Sequence, residues 1–70
     1  KVKIYPNPAT DYVTVEGGEV ESIEIYSLAG ALVASAKAEA TIGVSDLANG
    51  TYVVKVTTAE GVKVEKLIKK

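Results

Sequence analysis

Asp46-Leu47-Ala48-Asn49-Gly50-Thr51-Tyr52-Val53-Val54-Lys55-Val56 is the stretch that decides how this chain folds. Tyr52, Val54 and Val56 fall on one side of an extended run, with Val53, Lys55 and Thr57 on the other. A period of two buries one face of a strand and cannot bury one face of a helix. Just ahead, Asn49-Gly50 is a turn dipeptide, because both residues tolerate positive φ. The spacing predicts a turn and then a central strand over 53–57, with six or so other strands around it.

The rest of the chain supplies them. Val2 and Ile4 alternate with Lys1, Lys3 and Tyr5 in a short first strand. Pro6-Asn7-Pro8 closes it, since proline has no N–H for a central ladder. Asp11 to Glu16 alternates with Val13 and Val15 inward, and Gly17-Gly18 breaks it in a hairpin. Val20 to Ser27 is a third strand with Ile23 and Ile25 inward, followed by a turn at Ala29-Gly30.

The segment Ala31 to Ala40 is rich in alanine, and propensity alone makes it a helix. Periodicity overrides that. Leu32, Ala34, Ala36, Ala38, Ala40, Ile42 and Val44 hold the even positions against Ser35, Lys37, Glu39, Thr41, Gly43 and Ser45. The reading is two short strands, about Ala31 to Ala36 and Glu39 to Val44, joined by a tight turn near Lys37-Ala38. Val33 departs from the pattern and marks a bulge or partial exposure. Beyond the central strand, Thr58-Ala59-Glu60-Gly61 is a four-residue hairpin connection into Val62 to Ile68. Leu67 and Ile68 sit on both faces there, so this last strand is expected to change phase or to be covered on both sides.

Seven short strands at such spacing predict an all-β chain, an immunoglobulin-like antiparallel β-sandwich. Within it, Leu47, Gly50 and Tyr52 resemble a tyrosine corner, in which the ring packs inward and the hydroxyl returns to the upstream backbone. Seventy residues make one domain, 1–70, that hides only about 60% of its unfolded surface. The chain has no Cys, Phe, Trp or Met, so the core must come from Val, Ile, Leu and Ala. No apolar run reaches the length of a membrane span and no signal peptide is present, so the chain reads as an excised module of a larger protein.

Composition also excludes function classes. Without His or Cys, the common nucleophile–base pairs and most transition-metal sites are missing, and the chain is not expected to be an enzyme or to carry a cofactor or metal. No glycine-rich phosphate loop is present. A calcium site at Asp11 would lack EF-hand spacing, and a lysine–asparagine isopeptide would have only Asn7 and Asn49, both turn residues. A net charge of −1 and the absence of Arg give no call on nucleic acid. The charge is uneven: Lys63, Lys66, Lys69 and Lys70 against Glu65 leave +3 on the last ten residues and −4 on the first sixty.

Three stretches together carry a resemblance: Ile4-Tyr5-Pro6-Asn7-Pro8-Ala9, Ile23 to Val33 with Gly30 within it, and Leu47 to Val56 followed by Lys66-Leu67-Ile68-Lys69-Lys70. In this order and spacing they resemble the C-terminal sorting domain of the type IX (Por) secretion system, type A. The resemblance implies the last module of a cargo protein that crosses the periplasm of a Gram-negative bacterium. Its partners would be the outer-membrane translocon, which reads it, and a cell-surface sortase, which removes it. The cargo would then be anchored to lipopolysaccharide or released.

On that basis the recognition residues are expected to be Lys63, Lys66, Leu67, Ile68, Lys69 and Lys70, docked by strand addition to a receptor edge. Tyr5, Pro6, Asn7, Pro8, Gly30, Leu47, Gly50 and Tyr52 are expected to be motif and scaffold. The same exposed edge suggests a weak homodimer. The competing function is an immunoglobulin- or fibronectin-like binding or spacer module, although four scattered Tyr and no Trp make a poor sugar-stacking platform.

Overall fold

A computed structural model describes residues 2–70; Lys1, from which the first alternation is read, lies outside the described residues. Seven strands follow one another: β1 (Lys3–Tyr5), β2 (Tyr12–Glu16), β3 (Val20–Ser27), β4 (Leu32–Lys37), β5 (Thr41–Gly43), β6 (Gly50–Thr58) and β7 (Gly61–Lys69). They form two antiparallel sheets, β1-β2-β5 and β4-β3-β6-β7. This three-against-four arrangement is that of immunoglobulin-like sandwiches, with β6 in the place of strand F. Ile4, Val13, Val15 and Ile42 of the smaller sheet close on Ile23, Ile25, Val54, Val56 and Leu67 of the larger one.

The alternations in β1, β2, β3 and β6 stand as read, because each strand has one face on the core and one in water. The β6–β7 hairpin also stands, but Thr58 and Gly61 are paired strand residues, so its loop is Ala59-Glu60 alone and not the expected four-residue connection. Tyr52 is buried, and its hydroxyl donates to the Ala48 carbonyl at 2.5 Å, the contact a tyrosine corner requires.

Four further details depart from the sequence reading. Gly17-Gly18 is a crossover, not a hairpin, since β2 and β3 belong to different sheets. The strands on either side of Lys37-Ala38 are likewise unpaired partners of opposite sheets, and β5 shrinks to three residues. Ala38 takes a φ of +57° at the turn, donating its N–H to Glu21 (3.0 Å), while the Ala40 carbonyl accepts from Val15 N–H (2.7 Å). That pins one end of the crossover to each sheet and leaves Ala38 and Ala40 at the surface.

The third departure lies in β4. Its register with β3 jumps from Ile25–Ala34 to Tyr26–Leu32, skipping Val33. This is the bulge suggested by Val33, and it turns Leu32 out to solvent instead of inward. Finally, β7 keeps one phase throughout. Lys63, Glu65, Leu67 and Lys69 face inward, and Val62, Val64, Lys66 and Ile68 face out.

Candidate functional site

β7 is the outer strand of the larger sheet, paired with β6 on one side only. Its even-numbered residues turn both main-chain polar groups away from β6, the alternation of an antiparallel edge. From the Lys66 carbonyl to the Lys70 N–H those groups are taken up by the segment after β1. The Asn7 side chain donates from Nδ2 to the Lys66 carbonyl and accepts the Ile68 N–H on Oδ1, both at 3.0 Å. Ala9 continues the row, its N–H donating to the Ile68 carbonyl and its own carbonyl accepting from Lys70 N–H, both at 2.8 Å.

The local chemistry explains the residue types. Pro6 and Pro8 have no N–H and cannot build a ladder. A side-chain amide carries a donor and an acceptor on one planar group, as a peptide unit does, so Asn7 supplies what its neighbours lack. Ala9 is fully buried, and its small side chain lets the segment close on the core. Both Tyr5–Pro6 and Asn7–Pro8 peptide bonds are cis. Tyr5, Pro6, Asn7 and Pro8 remain exposed on the outside of this clasp.

The six expected recognition residues divide. Leu67 is 1% exposed and Lys69 6%, so these two side chains belong to the packing. Lys63 is half-buried and lies 3.8 Å from Glu65, with both side chains about 40% exposed; a pair so open to water contributes about 0–1 kcal/mol. Lys66, Ile68 and Lys70 are accessible. Asn7 bonds the main chain of Lys66 and Ile68, and Ala9 that of Ile68 and Lys70, so the structure brings the segment after β1 against the 66–70 stretch.

Of the scaffold residues, Leu47 packs against the core, and Gly50 opens β6. Gly30 sits at a φ of +93° in the β3–β4 turn, where its N–H donates to the Ser27 carbonyl at 2.9 Å. That turn lies at the same end of the sheet as the basic tail. Register places Leu32, Tyr26, Val53 and Lys66 in one row across the outer face. Leu32 is exposed in this row and is a surface residue that sequence reasoning missed, because the bulge that turns it outward is not visible in the alternation.

Tyr26 donates its hydroxyl to Glu24 Oε1 at 2.8 Å. That hydrogen bond, helped by partial burial and by the Glu24 charge, raises the phenol above its ordinary pKa of 10.0. Among the described residues, no three His, Cys, Asp or Glu side chains are grouped to hold a metal ion.

A family model described as a secretion system C-terminal sorting domain matches residues 3–70, from the first residue of β1 to the end of the basic tail. No curated protein matches the chain.

Proposed function

The chain belongs to the type IX secretion system C-terminal sorting domain family, and from that membership we propose how its surface serves as the address. It is a C-terminal sorting signal for export, and its partners are the type IX machinery and a cargo. The outer-membrane translocon reads the composite surface of Tyr5, Pro6 and Pro8 with Lys66, Ile68 and Lys70. The observation that carries this reading is the Asn7 clasp, which joins the two motif-bearing ends that the sequence separates by some sixty residues. Lysines there meet acidic groups on the receptor, with Ile68 as the apolar contact between them.

The folded domain is the last module of a larger cargo, passes through the periplasm, and has no catalytic role of its own. After translocation a sortase cuts on its N-terminal side, and the cargo is attached to lipopolysaccharide or shed. Lys63 acts mainly through the local positive field. The uncovered part of the β7 edge pairs two copies weakly, since an antiparallel pairing centred on Val64 sets Lys63 of one copy opposite Glu65 of the other.

The test is a folded reporter with a secretory signal peptide, with and without this chain at its C-terminus, in a host with an intact type IX system. The expected result is surface or medium delivery only with the chain, in a product whose mass has lost the domain. Periplasmic retention of a reporter whose domain is folded would overturn the reading. Delivery with the domain still attached would overturn the sortase step alone.

A further inference from the structure

We propose that the Asn7–Ala9 segment is an intramolecular edge cap, which keeps the 66–70 stretch of β7 from pairing with a β7 strand of a second copy. Four outward main-chain groups in that stretch, the Lys66 carbonyl, both groups of Ile68 and the Lys70 N–H, are all engaged by Asn7 or Ala9. The same alternation aims the Val62 and Val64 groups outward, and no hydrogen bond reaches them among the described residues. The edge is therefore one nine-residue strand, closed over its second half and open over its first.

Such an edge needs a cap. Val62, Val64 and Ile68 line its outer face at 58%, 59% and 40% exposure, and an exposed apolar edge strand is a template for another strand. With the cap closed, a partner strand finds only Val62 to Glu65 before it meets Asn7. With the cap open, the pairing stretch runs from Val62 to Lys70 and roughly doubles.

The cap is built to release from one side. Ala9 is its buried anchor, whereas Asn7 and both flanking prolines are exposed. The two prolines add no N–H to hold the segment down, so among the described residues the Asn7 side chain is the only group that closes the edge at the Lys66 carbonyl and at the Ile68 N–H. Exposed hydrogen bonds of this kind open locally without unfolding the core.

Capping is measured without any export machinery, so its failure and a failure of export are separate results. Native-state amide exchange by NMR on the 70-residue chain would compare the wild type with Asn7→Ala and Asn7→Asp. In Asn7→Ala the Ile68 N–H should exchange about tenfold faster or more, with Leu67 and Val54 unchanged. Asn7→Asp keeps an acceptor for Ile68 and loses the donor to Lys66, so its effect should be smaller; it also serves if the alanine variant does not fold. Light scattering should show tighter, concentration-dependent dimers in Asn7→Ala than in the wild type. Uniform acceleration of all amides would make Asn7 a general stabiliser and overturn the cap. So would an unchanged Ile68 N–H, or a freed edge without tighter dimers.

Discussion

Replacing Leu67 with alanine and, separately, Ile68 with alanine divides what β7 does for the fold from what it offers a receptor. Leu67 is 1% exposed and packs between the sheets, so truncation leaves a cavity and costs about 2–5 kcal/mol. A domain of 70 residues has a total stability of only about 3.5–10 kcal/mol. The Leu67 variant therefore stands near its unfolding threshold. Ile68 faces water on the outer side at 40% exposure, and its truncation costs about 1 kcal/mol or less. The unfolding entropy of a chain this size is about 0.15 kcal/mol/K. Leu67→Ala should then lower Tm by about 20 °C and Ile68→Ala by about 7 °C or less. Thermal unfolding followed by circular dichroism, backed by urea titration at low protein concentration, measures both. Equal losses, or a larger loss for Ile68, would refute the single-phase reading of β7. The same arithmetic disqualifies deletion of 66–70 as a test of recognition, because it also removes Leu67 and the partners of Asn7 and Ala9.

Tyr52→Phe removes the hydroxyl bond to the Ala48 carbonyl, which water can reach once freed, so the cost should be about 1 kcal/mol and about 7 °C in Tm; a shift under about 2 °C would show that this contact does not hold the corner. Tyr26 should titrate above pH 10.0, since its hydrogen bond to Glu24 favours the protonated phenol, and the difference between ultraviolet pH titrations of the wild type and Tyr26→Phe isolates it. With the folded pKa above the unfolded one, the stability it supplies is fully present below pH 10.0 and is lost as pH rises through the folded value. Tyr26→Phe should also remove that part of the alkaline loss; a wild-type minus Tyr26→Phe titration difference centred at or below pH 10.0 would contradict the assignment.

The strands were legible wherever one face meets the core and the other meets water. Val13 and Val15, Ile23 and Ile25, and Tyr52, Val54 and Val56 each announce their inward face by alternation. The tyrosine corner was legible because it depends on neighbours in sequence. Pairing partners were not, since Gly17-Gly18 reads alike whether it joins two strands of one sheet or carries the chain between sheets. In β7 the outer face is itself apolar, so Val62, Val64 and Ile68 blur the pattern that Leu67 would otherwise mark. The clasp was the least legible feature. Its hydrogen bonds span 59 and 61 residues and run through a side chain, which no periodicity records. One signal was present nonetheless: between two residues without N–H groups, Asn7 alone carries both a donor and an acceptor.

The central claim is that export depends on the accessible surface of the clasped strand and not on its buried half. Lys66→Glu, Ile68→Ser and Lys70→Glu together change only outward side chains and leave the main-chain bonds to Asn7 and Ala9 in place. The measurement is surface delivery of a folded reporter carrying either the wild-type chain or this triple variant, with folding of each verified by thermal unfolding. Delivery of the wild type and periplasmic retention of the folded variant is the predicted result. Equal delivery of both would contradict it and move the address elsewhere on the sandwich.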